Sequence, residues 1–219
     1  MLLELKSVTL KRNKRILFKK VNLKLEKSQI VLIKGKNGIG KSSLLEFMVG
    51  FTLENSGSKF SNFGLAESQS LMKSKIFYLG HQNCLKENLT VFENLKIWKN
   101  LFGIELAKDM LIDGLKYFDL YEFSDSLVNK LSMGQKRKVA LTKLLFLKKI
   151  TWFLDEPTNG LDSSSEEKFL LLLKNHQKSG GSVVMSTHSN LSIPESSTLN
   201  LEPFLLSNKS NHFDSWDML

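Results

Sequence analysis

Gly35-Lys36-Asn37-Gly38-Ile39-Gly40-Lys41-Ser42 reads G-x-x-x-x-G-K-S, with Ser43 next in line. A strand-like run, Gln29-Ile-Val-Leu-Ile-Lys34, leads into it, and an apolar helix-like run, Ser43-Leu-Leu-Glu-Phe-Met48, leads out. That context separates a phosphate-binding loop from a glycine-rich turn carrying a surface lysine. Glycine permits backbone conformations that a Cβ forbids, so successive N–H groups can turn toward one anion. The helix that starts at the loop adds its positive end to the same spot. Residues 35–43 are therefore expected to hold the phosphates of ATP. Lys41 is read as an exposed side chain reaching the β- and γ-phosphates, and the Ser42 hydroxyl as a ligand for Mg²⁺.

Outward from the loop, residues 2–11 and 21–34 read as strands joined by a basic turn around Lys11–Lys14. Helix is expected from Lys41 to Val49. The polar stretch Glu54–Gly64 reads as a hairpin or loop, and Lys75-Ile-Phe-Tyr-Leu79 as a further strand. Thr90-Val-Phe-Glu93 is a capping box. It opens a helix with Val91, Leu95, Trp98 and Phe102 at helical spacing, and a second helix follows from about Leu106 to Phe118. Ile150-Thr-Trp-Phe-Leu-Asp155 reads as a buried strand. Ser163-Ser-Ser-Glu166 reads as a second capping box, starting a helix to about Lys178. Gly180-Gly181 breaks that helix, and Ser182–Thr187 is the last clear core strand. Alternating strands and helices imply an α/β fold with a mainly parallel sheet covered on both faces. The expected organisation is one domain: a core of residues 1–82 and 149–202, a helical insert at 83–148, and a tail at 203–219 with no assignable role.

Composition narrows the function classes. Thirty-one Lys and Arg against 22 Asp and Glu give a net charge of +9, but the basic residues are dispersed. All are lysine except Arg12, Arg15 and Arg137. An AT-rich coding bias accounts for this better than a nucleic-acid footprint, which needs a clustered basic face, so no nucleic-acid partner is expected. Cys84 is the single cysteine and makes no internal disulfide. No run approaches the ~18 apolar residues of a membrane span. Met1-Leu-Leu-Glu-Leu-Lys6 has no secretory h-region and no presequence character, so the chain is expected to work where it is made.

Asp155 and Glu156 end an apolar strand and precede Pro157. On their own they could be two solvated carboxylates. Beside the phosphate loop, Asp155 suits Mg²⁺ and Glu156 suits a general base for the attacking water. Leu131-Ser132-Met133-Gly134-Gln135 is the further decisive stretch. It resembles the Leu-Ser-Gly-Gly-Gln signature of ATP-binding-cassette proteins. Ser132 and Gln135 also have capping-box spacing, which sets the signature at a helix N-terminus, an end that attracts phosphate.

The resemblance implies the cassette fold: a P-loop NTPase (RecA-like) parallel core, an N-terminal antiparallel β subdomain and a helical insert. It also implies ATP hydrolysis with Mg²⁺. Gln82 stands where the family has its Q-loop, implying a metal- and water-sensing role. Asn159-Gly-Leu-Asp162 matches the D-loop, and His188 matches the switch histidine. In the family, the signature faces the γ-phosphate held by a second copy, so two chains close head-to-tail around two ATP molecules. Two departures stand out. Met133 replaces the first signature glycine. Arg12 stands where many members stack adenine on an aromatic ring; it could stack on the base as a guanidinium plane or be a solvated turn residue.

Tyr78-Leu-Gly-His-Gln82, Leu85-Lys86, Leu89-Thr90 and Glu93-Asn94-Leu95 look more specifically like the haem-exporter ATP-binding subunits of cytochrome c maturation. That resemblance implies a peripheral ATPase bound to polytopic membrane subunits. It would sit on the inner membrane, on the cytoplasmic side in a bacterium or the matrix side if encoded in a mitochondrial genome. No direct haem ligand is expected in this chain. The alternatives are the ATPase of another exporter and a soluble cassette ATPase of the iron–sulfur assembly type. The latter usually carries glutamate where this chain has Gln135.

Overall fold

Ile30–Lys34 forms strand β3, whose first four residues are all buried. A continuous apolar strand of this kind suits a parallel sheet covered on both faces. A computed structural model describes residues 1–12, 15–51, 55–61, 75–105, 107–147, 151–187 and 192–205. In it β3 joins β5 (Ile76–Leu79), β6 (Thr151–Asp155), β7 (Ser182–Thr187) and β8 (Ser196–Asn200) in one sheet. The order is β5-β6-β7-β3-β8, with every pair parallel. A second, antiparallel sheet has the order β2-β1-β4, from β1 (Leu3–Arg12), β2 (Arg15–Leu25) and β4 (Asn55–Ser61).

Alternation along β3 divides the interior in two. Val31 and Ile33 face a core shared with the antiparallel sheet and helix α1 (Lys41–Val49), where Leu44, Leu45, Phe47 and Met48 are buried. Ile30 and Leu32 face the other core, with Phe169, Leu172 and Leu173 of a long helix, Ser163–Lys178. The helical insert packs on that second core. Its described residues include α2 (Val91–Leu101), α3 (Lys108–Tyr117), two short 3₁₀ turns, α4 (Met133–Thr142) and a third 3₁₀ turn at Lys143–Leu145. The long helix Ser163–Lys178 is α5.

The capping box at Thr90 forms as expected. Thr90 Oγ1 accepts from the Glu93 N–H at 3.1 Å, and the Glu93 carboxylate accepts from the Thr90 N–H at 2.8 Å. Asn94, almost fully buried, ties the preceding loop to the helix. Its Oδ1 accepts from the Lys86 N–H at 2.8 Å, and its amide donates to the carbonyls of Lys86 (3.0 Å) and Thr90 (2.9 Å).

Three expectations need correction. The run 21–34 is two strands, because the chain turns between Leu25 and Ile30 with Ser28 in the left-handed region, φ 57°. The described part of Glu54–Gly64 is strand β4, which pairs with β1 through backbone alone. Gly57, at φ +100°, passes so close to the Ser7 carbonyl that a Cβ would clash, so the absent side chain marks strand contact and not a turn. Helix α5 is capped by Asp162, whose Oδ1 accepts from the Ser165 N–H at 2.8 Å, and Ser163 is already helical. The strand expected over Ile150–Asp155 is present from Thr151 to Asp155; Ile150 and residues 206–219 of the tail lie outside the described residues.

Two consequences for stability follow. Asn94→Ala strands the polar groups of the Lys86–Thr90 loop and should cost about 1–3 kcal/mol, read from urea unfolding. Lys143, just past α4, is buried with its Nζ 2.9 Å from the Trp98 ring centroid. Desolvation pulls its ammonium down to about 6, with Cys84 opposing and Arg137 reinforcing. The folded value lies below the unfolded one, so between those two values the unfolded chain holds a proton that the folded chain lacks. Stability contributed by this site should therefore rise with pH from about 6 toward the ordinary lysine range. Lys143→Met should remove that slope when unfolding is measured at neutral and at alkaline pH.

Candidate functional site

Three glycines shape the loop between β3 and α1: Gly35, Gly38 and Gly40 all have positive φ. Gly40 is the N-cap of α1 and supplies no side-chain cap bond. The first N–H groups of the helix therefore have no side-chain acceptor of that kind, which is the arrangement that receives an anion. Lys41 differs from expectation in being buried rather than exposed. Its ammonium donates to the carbonyls of Gly35 (2.8 Å) and Lys36 (3.1 Å) and lies 4.0 Å from Glu156 Oε1. Desolvation lowers its pKa, while the Glu156 and Asp155 carboxylates pull it back up.

Asp155 ends β6 and is buried. Its Oδ1 accepts from the Ser186 hydroxyl at 2.6 Å, and the Ser186 oxygen accepts from the Glu156 N–H at 2.9 Å. Glu156 has φ 48°, a left-handed conformation that costs a non-glycine residue about 1–3 kcal/mol. That turn takes the chain sharply off the strand, leaving the Glu156 carboxylate at the wall of a cleft. Arg12, Leu17, Gly38, Gly40, Lys41, Ser42 and Ser43 complete the lining. Arg12 donates to Ser43 Oγ at 3.2 Å, so its guanidinium belongs to the cleft.

The expected Ser132–Gln135 capping box is present. Ser132 Oγ accepts from the Gln135 N–H at 3.2 Å, and Gln135 Oε1 accepts from the Ser132 N–H at 2.8 Å. A Cβ on Gly134 would overlap the Gly160 carbonyl, so the signature glycine is what lets α4 lie against the Asn159–Asp162 turn. The Asp162 carboxylate is held down at about 2 by its hydrogen bonds from Ser165, with Lys138 adding to the effect. Met133 is 77 % exposed on the opposite side of this helix start. None of the signature residues lines the Lys41 cleft. Gln82 lies exposed in the bend after β5, and His188 lies outside the described residues.

Arg137 is the residue that sequence reasoning passed over. It is 4 % exposed, and it donates to Asp155 O (2.5 Å), Pro157 O (3.1 Å), Gly80 O (3.1 Å) and Asn83 Oδ1 (2.9 Å). Burial lowers its pKa to about 10, with Asp155 and Glu156 opposing the shift, so it stays charged at neutral pH. The available signal was its identity. In a chain whose basic residues are nearly all lysine, a retained arginine marks a place that needs a planar fork of donors.

For a metal, the cleft offers a hard oxygen donor in the Ser42 hydroxyl; the Asp155 carboxylate is a second, buried at the end of β6 behind the cleft lining and near enough to Lys41 to act on its charge. Among the described residues there is no cluster of three or more His, Cys, Asp or Glu that could hold an ion. One hydroxyl and one carboxylate suit Mg²⁺, which keeps several waters and takes phosphate oxygens, better than a cation needing a protein cage.

Residues 18–159 match the model of the ABC transporter family. Among curated proteins, the chain is 35% identical over 210 residues to the cytochrome c biogenesis ATP-binding export protein CcmA of Bartonella henselae, covering 94% of this chain and 97% of that protein. It is 32% identical to the CcmA of Reclinomonas americana, covering 96% and 93%. Among solved structures, it superimposes on an ABC transporter ATP-binding protein from Pyrococcus furiosus with TM-score 0.79, at 25% identity over 94% of this chain and all of that one. It also matches the dimeric, post-hydrolysis structure of the ATP-binding cassette MJ0796 bound to ADP and Pi, with TM-score 0.76 and 26% identity over 91% and 94%. With its phosphate loop, capped signature helix and two-sheet architecture, the chain belongs to the ABC transporter family, as an ATP-hydrolysing subunit.

Proposed function

We propose that this subunit hydrolyses Mg-ATP at the Lys41 cleft to drive haem handling in c-type cytochrome assembly. The observation that carries the catalytic part is the meeting of Lys41 and Glu156 at one cleft beside an uncapped helix N-terminus, with the buried Asp155 close enough to act on the Lys41 charge. The haem part is supported by relatives named as cytochrome c biogenesis ATP-binding export proteins, which align along nearly the whole chain.

The backbone N–H groups of residues 35–43 and Lys41 hold the phosphates. Ser42 and Asp155 would hold Mg²⁺, with Gln82 completing the set, and the bound ion would supply charge neutralisation on the transferred phosphoryl group. Glu156 takes a proton from the water that attacks the γ-phosphorus. The bond to the β–γ bridging oxygen breaks, and ADP and phosphate leave. His188 orders the γ-phosphate and Glu156.

The signature at the start of α4, Leu131–Gln135, with Ser132 and Met133 exposed, is assigned to the nucleotide of a second copy. The geometry within one chain favours this, since the signature stands off from the chain's own cleft. Polytopic membrane subunits complete the transporter. Among the described residues no helix is long and apolar enough to cross a membrane, which fits a peripheral subunit held by such partners on the inner membrane.

Glu156→Gln should retain ATP binding, slow hydrolysis by at least about a hundredfold, and accumulate an ATP-dependent dimer on size-exclusion chromatography. A variant that hydrolyses ATP at the wild-type rate would remove Glu156 from the role of base. Deleting the gene should abolish c-type cytochromes while sparing b-type ones, as read by haem staining and difference spectra. Normal c-type cytochromes in a strain with no second copy would direct the subunit to another exporter and leave its ATPase chemistry standing.

A further inference from the structure

We infer that Arg137 is a positioning residue for hydrolysis: it locks the signature helix, the bend that carries Gln82 and the end of β6 into one unit. The inference rests on the reading of the cleft as the nucleotide site. Arg137 stands on α4 five residues after Ser132, and its four acceptors fall in two pairs. The carbonyls of Asp155 and Pro157 flank Glu156, the residue held at φ 48°. The Gly80 carbonyl and the Asn83 side chain flank His81-Gln82. Each pair brackets a segment whose backbone turns sharply after a strand.

Asn83 is gripped from a second direction, because Lys143 Nζ donates to its carbonyl at 3.3 Å. Arg137 and Lys143 come from consecutive pieces of the same helical stretch, so displacement of α4 pulls on both the side chain and the main chain of Asn83. The signature caps the N-terminus of α4 at Ser132. Movement of the signature against a second copy therefore reaches Gln82 and Glu156 through one rigid guanidinium. Lysine could not replace it, since an ammonium is a point charge on a flexible stem and lacks the planar fork.

A buried arginine that only satisfied carbonyls would, when changed, lower stability and the fraction of chain able to bind ATP. A positioning residue changes turnover per bound nucleotide. The test compares Arg137→Lys and Asn83→Ala with wild type in the full-length chain. Steady-state hydrolysis is measured, and binding of a fluorescent ATP analogue is titrated in the Glu156→Gln background. Arg137→Lys should lower kcat by at least about tenfold with KM held within about threefold, the pattern of an interaction made in the transition state. Asn83→Ala removes only one half-buried acceptor, so it should fold normally and still lower kcat, by about threefold to tenfold at unchanged KM. Wild-type kcat in both variants would overturn the inference, as would a loss of activity in strict proportion to lost ATP-binding sites. Lys41→Ala separates the two levels: if hydrolysis and binding ignore that change, the nucleotide reading itself is wrong and this inference goes with it.

Discussion

Helix α1 begins with no side chain to cap it. A Ser, Thr or Asp at the N-cap contributes about 1 kcal/mol to a helix, and this helix forgoes that contribution at the end where its N–H groups must meet an anion. The fold makes up the deficit by burial. Seven of the nine residues of α1 are buried, Lys41 included, with apolar side chains packed toward both the antiparallel and the parallel sheet. A helix clothed on all sides can leave one terminus unsatisfied without fraying. The two-sheet arrangement, with β1 and β2 laid over α1, is the physical condition for keeping a phosphate loop open.

The same economy governs the catalytic end of β6. Asp155 is buried, which is tolerated because Ser186 donates to its carboxyl group and the Arg137 guanidinium lies behind its backbone. Glu156 is held in a conformation that most residues avoid, and the flanking carbonyls are pinned on both sides. Strain at this point is maintained by the surrounding hydrogen bonds, not relieved by local sequence. The signature helix start is exposed, capped and separated from the cleft within its own chain. Within one chain, the signature and the Lys41 cleft are thus separate surfaces.

The parallel core was legible because β3, β6 and β7 are continuous apolar runs between turn signals, and because the G-x-x-x-x-G-K-S loop fixes which strand and helix flank it. The Thr90 and Ser132 caps were legible from residue type and spacing alone. The Leu25–Ile30 turn was missed because Glu26–Gln29 are polar but contain neither Gly nor Pro, so they resemble the polar positions that already alternate along β2, and Ser28 is not a residue that announces positive φ. Strand β4 was hidden because its pairing with β1 is carried by backbone, and glycine there reads as a turn. Asp162 outcompeted Ser163 as cap because both are good N-cap residues one position apart, and only geometry chooses between them. The burial of Lys41 and the junction made by Arg137 depend on contacts between residues up to 57 and 115 positions apart, which local pattern cannot supply.

Among the described residues, β2 and β4 are the outer strands of the antiparallel sheet. Unpaired strand edges invite addition of a strand from another molecule. On β2 the outward positions include Lys19, Lys20 and Lys24, all exposed, and Lys20 has positive φ, which breaks the flatness of the edge. Two such edges approaching each other would bring like charges together on a twisted backbone. Self-association through the β2 edge is therefore disfavoured. The lysines that raise the net charge of the chain also act here as guards of a strand edge, leaving contact between copies to other faces.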